Sequence, residues 1–154
     1  MESKLRISGI IEESIVDGPG MRYVVFTQGC PHHCKGCHNP QTHAFDGGKI
    51  VDIEEIFEAF CENPLLSGIT FSGGEPFCQP KALYELAMKV KKKGKTVMIY
   101  SGYTLEQLEE MKDVWVQKLL SAADILVDGP YVEELRDLTL QFRGSSNQRI
   151  LYLS

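Results

Sequence analysis

The amino-acid sequence predicts an α/β protein built on an open, curved sheet of mostly parallel strands, an incomplete (β/α) barrel. Three observations carry that prediction. Short β-branched and aromatic runs alternate with stretches of helical periodicity, the pattern of parallel strands joined by crossovers. The chain has 154 residues, short of the roughly 200 or more that a closed eight-stranded barrel needs. Polar, glycine-bearing clusters follow directly on several of the runs, where ligands collect in open α/β sheets. One domain spanning 1–154 is expected at this length.

The elements follow in order. Leu5 to Ile11 reads as a short strand, and Arg22 to Thr27 (RYVVFT) as a buried one that runs straight into a cysteine-rich loop. Asp52 and Glu55 form a capping-box pattern before a helix whose Ile53, Ile56, Phe57 and Phe60 share one face. Gly68 to Ser72 (GITFS) is a strand ending in Gly73-Gly74. Pro80 opens a helix with Leu83, Ala87 and Val90 on its apolar stripe, stopped by Gly94. Thr96 to Tyr100 (TVMIY) is a core strand, and Thr104 with Gln107 caps the next helix. Trp115 to Leu120 is a short helix, Ile125 to Val127 a strand closed by Asp128-Gly129-Pro130, and Arg149 to Leu153 a last edge strand. Phe26, Phe57, Phe60 and Phe71 read as core.

Composition narrows the function classes. Sixteen basic against 21 acidic residues give a net charge of −5, with 43% apolar and 24% charged residues. That balance excludes a disordered chain, and no apolar run approaches the ~20 residues of a membrane span. A mildly acidic chain with no basic stripe is a poor match for nucleic acid. The run Lys91-Lys92-Lys93-Gly94-Lys95 reads as cations in a last helical turn, where they complement the helix dipole. Met1-Glu2-Ser3-Lys4-Leu5 has no apolar leader, so a cytoplasmic location with reduced thiols is expected.

Of the five cysteines, Cys30, Cys34 and Cys37 lie within eight residues, spaced Cys-x3-Cys-x2-Cys, while Cys61 and Cys78 stand apart. Thiols so close in a reducing compartment point to a shared metal. Three soft thiolates from one tight loop suit an iron–sulfur cluster with one iron left open. A zinc site completed by His32, His33 or His38 is the competing ligand set.

These residues carry a resemblance. The loop CPHHCKGC resembles the cluster signature of the radical S-adenosylmethionine superfamily, and Ser72-Gly73-Gly74-Glu75-Pro76 resembles its GGEP motif. The segment Val16-Asp17-Gly18-Pro19-Gly20-Met21-Arg22 is similar to a stretch of the glycyl-radical-enzyme activases. Tyr100-Ser101-Gly102-Tyr103, Val127-Asp128-Gly129-Pro130-Tyr131 and the tail Phe142 to Arg149 resemble the branch that activates the anaerobic ribonucleoside-triphosphate reductase. No inserted domain with extra cysteine clusters, found in some other activases, interrupts the chain.

The resemblance implies a partial barrel of the radical S-adenosylmethionine type and a radical-generating oxidoreductase. Its cofactors would be a 4Fe–4S cluster and S-adenosyl-L-methionine, cleaved reductively to methionine and a 5′-deoxyadenosyl radical. Cys30, Cys34 and Cys37 would each bind one iron, and the methionine moiety would chelate the fourth. Gly36 would remove bulk beside the cluster, and Cys37 and His38 would flank the nucleotide, with Lys35 facing solvent. Gly73, Gly74 and Glu75 would accept hydrogen bonds from the cofactor's ammonium. Ser101 and Asp128 would hold its ribose hydroxyls or amino group. Asp17, Gly18, Gly20 and Arg22 would lie near the substrate peptide or shape the cluster loop. The partner would be the reductase, whose glycine Cα loses a hydrogen atom, and the electron donor a flavodoxin-like protein. No nucleic acid or membrane partner is expected.

Three other readings compete. One is an activase of another glycyl radical enzyme, of formate-lyase type. Another is a small-molecule radical enzyme such as a carboxy-deazaguanine synthase-like protein. The third is an iron–sulfur electron carrier or zinc module, which would leave Gly73-Gly74-Glu75 unexplained. The tail is expected to be mobile or to dock on the partner.

Overall fold

The computed structural model describes residues 3–32, 44, 45, 47–137, 142, 143 and 145–153. Its elements are β1 (Lys4–Ser14), β2 (Arg22–Thr27), β3 (Lys49–Asp52), α1 (Ile53–Cys61), β4 (Gly68–Gly73), α2 (Pro80–Lys92), β5 (Thr96–Tyr100), α3 (Leu105–Glu110), α4 (Val114–Ala122), β6 (Ile125–Asp128) and β7 (Arg149–Tyr152). The strands make one open sheet in the order β3-β1-β2-β4-β5-β6-β7. The central strands β2, β4, β5 and β6 are parallel. β1, β3 and β7 flank them as antiparallel pairs. The open α/β architecture is the one expected; the antiparallel flanks are added to it.

Period-2 alternation sorts the strand side chains onto two faces. Tyr23, Val25, Ile69, Phe71, Val97, Ile99 and Leu126 join Ile56, Phe60, Leu83, Leu86, Val90, Val116 and Leu119 of the helices in the main core. Met98, Ile125 and Val127 point the other way, with Tyr100, Phe142 and Ile150 packed against them. The helices therefore cover one face of the sheet. Phe60 and Phe71 are buried as expected, whereas Phe26 and Phe57 are half-buried.

Several elements differ from expectation for identifiable reasons. β1 runs on to Ser14 because it pairs with β2 as an irregular hairpin, with register shifts at Ile7/Gly9 and Ile11/Ser14. β3 has only four residues, of which Lys49 and Ile50 are exposed, so it shows no alternating pattern. Asp52 occupies the N-cap of α1 but makes no side-chain cap bond. It is also the last residue of β3, and its carboxylate pairs across the sheet with Lys4 Nζ at 3.4 Å. The second capping box forms in full: Thr104 Oγ1 accepts from Gln107 N at 3.2 Å and Gln107 Oε1 accepts from Thr104 N at 2.9 Å. Lys89, Lys91 and Lys92 end α2 before Gly94 at φ +76°, and Lys91 also donates to Asp124 at 3.0 Å and to the Ala122 carbonyl at 3.2 Å.

Candidate active site at the carboxyl ends of the parallel strands

All four parallel strands end on the same side, and each end continues into one of the polar clusters. β2 leads through Gln28-Gly29 to Cys30, which is buried. β4 leads into Gly73-Gly74-Glu75, β5 into Ser101-Gly102-Tyr103, and β6 into Asp128-Gly129-Pro130. Cys34, Lys35, Gly36, Cys37 and His38 lie outside the described residues, as does His33.

Backbone bonds stitch these ends together. Gly74 N donates to Thr27 O and Glu75 N to Gly29 O, both at 2.8 Å. Ser101 N donates to Val127 O at 2.9 Å and Gly129 N to Tyr103 O at 3.0 Å. The approach of β4 to β2 requires glycine: Gly73 has φ +93°, and a Cβ there would sit 2.6 Å from Thr27 N. The cysteine loop is thus fastened at its base to the Gly-Gly-Glu turn.

Glu75 is fully buried. Oε1 accepts from His32 Nε2 at 2.5 Å, from Gly102 N at 2.8 Å and from Ser101 Oγ at 3.0 Å. Oε2 accepts from Ser101 Oγ at 2.9 Å and from Phe77 N at 3.1 Å. Ser101 Oγ in turn accepts from Tyr103 N at 3.0 Å. Glu75 and Ser101, both expected as cofactor contacts, bond to each other and to the loops around them, beside the half-buried Gly73 and Gly74.

Asp128 is likewise buried and engaged. Oδ2 accepts from Leu105 N at 2.7 Å, at the start of α3, and Oδ1 accepts from Arg149 Nε at 2.9 Å. Arg149 Nη2 bridges Asp128 Oδ2 and Glu106 Oε2, the latter at 2.7 Å. Hydrogen bonds donated to Asp128 first, then to Glu106, push the Arg149 guanidinium up, and the Arg149 bond holds the Glu106 carboxyl below its ordinary value. The Cys78 thiol is pushed up to about 11, chiefly by burial and then by Glu75 and Cys30.

The Asp17–Arg22 segment lies at the opposite, amino end of the sheet. Arg22 is fully buried; its Nε donates to Thr70 Oγ1 at 2.8 Å, and its guanidinium also reaches the carbonyls of Pro19, Ile69 and Thr96 and the Thr96 hydroxyl. Thr70 Oγ1 donates to the Asp17 carbonyl at 2.8 Å. The segment closes the floor, at the end of the sheet away from Cys30. Nor is the described part of the tail loose. Ser145 is buried, Ser146 N donates to Leu135 O at 2.9 Å, Asn147 Nδ2 to Pro130 O at 2.8 Å, and β7 pairs with β6 along four residues.

Sequence reasoning missed the roles of His32, Gly102 and Arg149. Each makes bonds or contacts to residues far along the chain, so no local pattern marks it. A buried cysteine on a strand-end loop, with a glycine turn bonded to its base, suits a thiolate-held cluster and a ligand bound through backbone.

The rim gathers the ends of four parallel strands into one site on an open α/β sheet. A solved structure of QueE from Escherichia coli shares the fold with a TM-score of 0.52 and 17% identity, covering 66% of this chain and 54% of that one. A family model described as a 4Fe-4S single cluster domain matches residues 16–151. Anaerobic ribonucleoside-triphosphate reductase-activating proteins align along most of the chain. The Vibrio cholerae protein is 35% identical, covering 88% of this chain and 90% of its own length. The Escherichia coli K12 protein is 31% identical, covering 90% and 93%. That of phage T4 is 30% identical, covering 88% and 86%. The chain belongs to the family of anaerobic ribonucleoside-triphosphate reductase-activating proteins.

Proposed function

We infer that this protein activates an anaerobic ribonucleoside-triphosphate reductase by creating a glycyl radical on it. It is an iron–sulfur oxidoreductase whose cofactors are a 4Fe–4S cluster and S-adenosyl-L-methionine. When bound, these supply the electron and the reductively cleaved sulfonium from which the hydrogen-abstracting radical derives. The observation that carries the reading is the union of the cysteine loop with the Gly-Gly-Glu turn, through Gly74 N to Thr27 O and Glu75 N to Gly29 O.

The residues divide the work as follows. Cys30, Cys34 and Cys37 would hold the cluster, and a loop with three thiolates suits a cluster that also takes a ligand. Gly36 would leave space beside the cluster, and Cys37 and His38 would flank the nucleotide. Gly73 and Gly74 offer bare backbone oxygens to an ammonium group, as no Cβ intervenes. Glu75, Ser101 and Asp128 shape the surrounding wall, because their side-chain bonds run to Gly102, Tyr103, Leu105 and Arg149. The substrate is a protein backbone: glycine has no side chain to shield its Cα, and the flanking amides stabilise the resulting radical. A reduced flavodoxin-like protein is the donor we propose, in a cytoplasmic setting; none of the described helices is long and apolar enough to cross a membrane.

The test is anaerobic mixing of the reconstituted protein with dithionite, S-adenosylmethionine and the reductase. A glycine-centred electron paramagnetic resonance signal and stoichiometric 5′-deoxyadenosine are expected. 5′-Deoxyadenosine without the glycyl signal, across several reductases, points instead to a small-molecule radical enzyme. Zinc in place of iron and sulfide overturns the reading altogether.

A further inference from the structure

Building on that reading of the cysteine loop, we propose that His32 is a positioning residue that latches the loop to the strand ends through Glu75. His32 stands between the first two cysteines of the motif, two residues from each. Its side chain is only 14% exposed, and Nε2 donates to Glu75 Oε1 at 2.5 Å. The ring meets Tyr103 edge-on, with centroids 4.5 Å apart and planes at 72°. Gly102 supplies the slot, since a Cβ there would overlap the imidazole.

The latch closes on a rigid hub. Glu75 is fully buried and also gathers Ser101 Oγ, Gly102 N and Phe77 N. Loops from β2, β4 and β5 therefore meet on one carboxylate. A hydrogen bond to a buried ionised group is among the stronger ones a loop can make. It commits the His32 Nε2 to protein, which removes that nitrogen from the competing zinc ligand set. The consequence is that the chain from Cys30 to His32 is held in place before any metal arrives.

The experiment uses the full chain with Cys61→Ser and Cys78→Ser, so that only the three loop thiols remain. In the cluster-free protein, loop thiols of His32→Ala are expected to react with a disulfide reagent about tenfold faster, the effect of losing one charge-assisted hydrogen bond. His32→Gln, which keeps an N–H donor, should restore most of the protection. Gly102→Ala should reproduce the His32→Ala rate by evicting the ring. After anaerobic reconstitution, His32→Ala should change the g-values of the reduced cluster and raise the KM for S-adenosylmethionine more than it lowers kcat. Unchanged thiol rates in both His32→Ala and Gly102→Ala would overturn the latch, as would His32→Gln reacting as fast as His32→Ala. If His32→Ala fails to fold, by circular dichroism, the Gly102→Ala rate decides. A parent protein that assembles no cluster defeats the functional reading alone, because the thiol rates are measured without metal.

Discussion

The two ends of the parallel sheet are each organised by one fully buried ionisable side chain, Glu75 at the carboxyl end and Arg22 at the amino end. They solve the same problem differently. Arg22 bonds to neutral oxygens, those of Pro19, Ile69, Thr70 and Thr96, and burial lowers its pKa to about 10. Glu75 gathers backbone N–H groups, a hydroxyl and an imidazole from three loops. The floor joins the Asp17–Pro19 turn to strand interiors, so it bears on stability. The rim joins loops that carry the cysteines, so it bears on the cofactor. A buried charge is expensive unless satisfied by hydrogen bonds, and where its bonds go decides what its loss would damage.

The largest break in the comparison is expected at the rim. Cys30→Ala, Cys34→Ala or Cys37→Ala should abolish iron retention and 5′-deoxyadenosine formation while leaving the cluster-free fold intact by circular dichroism. Cys61→Ala and Cys78→Ala should keep both, and a lost cluster in either would mean that the ligand assignment is wrong. The floor should fail in the opposite sense. Arg22→Met leaves several buried oxygens without donors and should cost about 3 kcal/mol in denaturant unfolding. Its surviving folded fraction should still bind iron.

Smaller effects separate the two ends further. Arg149→Met removes the partner of Asp128 and Glu106 and should cost about 1 kcal/mol, since its side chain is 45% exposed and screened. Deleting Phe142 to Ser154 removes β7 and this clamp together, so it should unfold the β6 edge and cannot isolate a docking role for the tail. Glu106→Gln should matter least. The folded-state pKa of Glu106 is lowered, so its pairing with Arg149 stabilises above the unfolded carboxylate pKa and is lost as pH falls through the folded value. Melting curves of Glu106→Gln and the parent should therefore differ slightly at neutral pH and converge in acid.

Much of this was written in local pattern. The runs Arg22–Thr27 and Thr96–Tyr100 are strands with the expected bounds, because β-branched and aromatic residues flanked by turn chemistry leave few alternatives. The same holds for the Thr104–Gln107 box, where both partners lie within one helical turn. Asp52 shows the limit: its pattern matches a cap, yet a lysine 48 residues away takes its carboxylate. Residue type and spacing by themselves put three thiols in one loop and a Gly-Gly-Glu turn at the end of a strand, since each of those features is contiguous in the chain. Only the tertiary structure decided that Glu75 is a hub, that His32 closes on it, that Arg22 seals the far end and that Arg149 clamps Asp128. These bonds join segments 21 to 74 residues apart, and a hydrogen bond at such separation is specified by how the strands stack, which no local window contains.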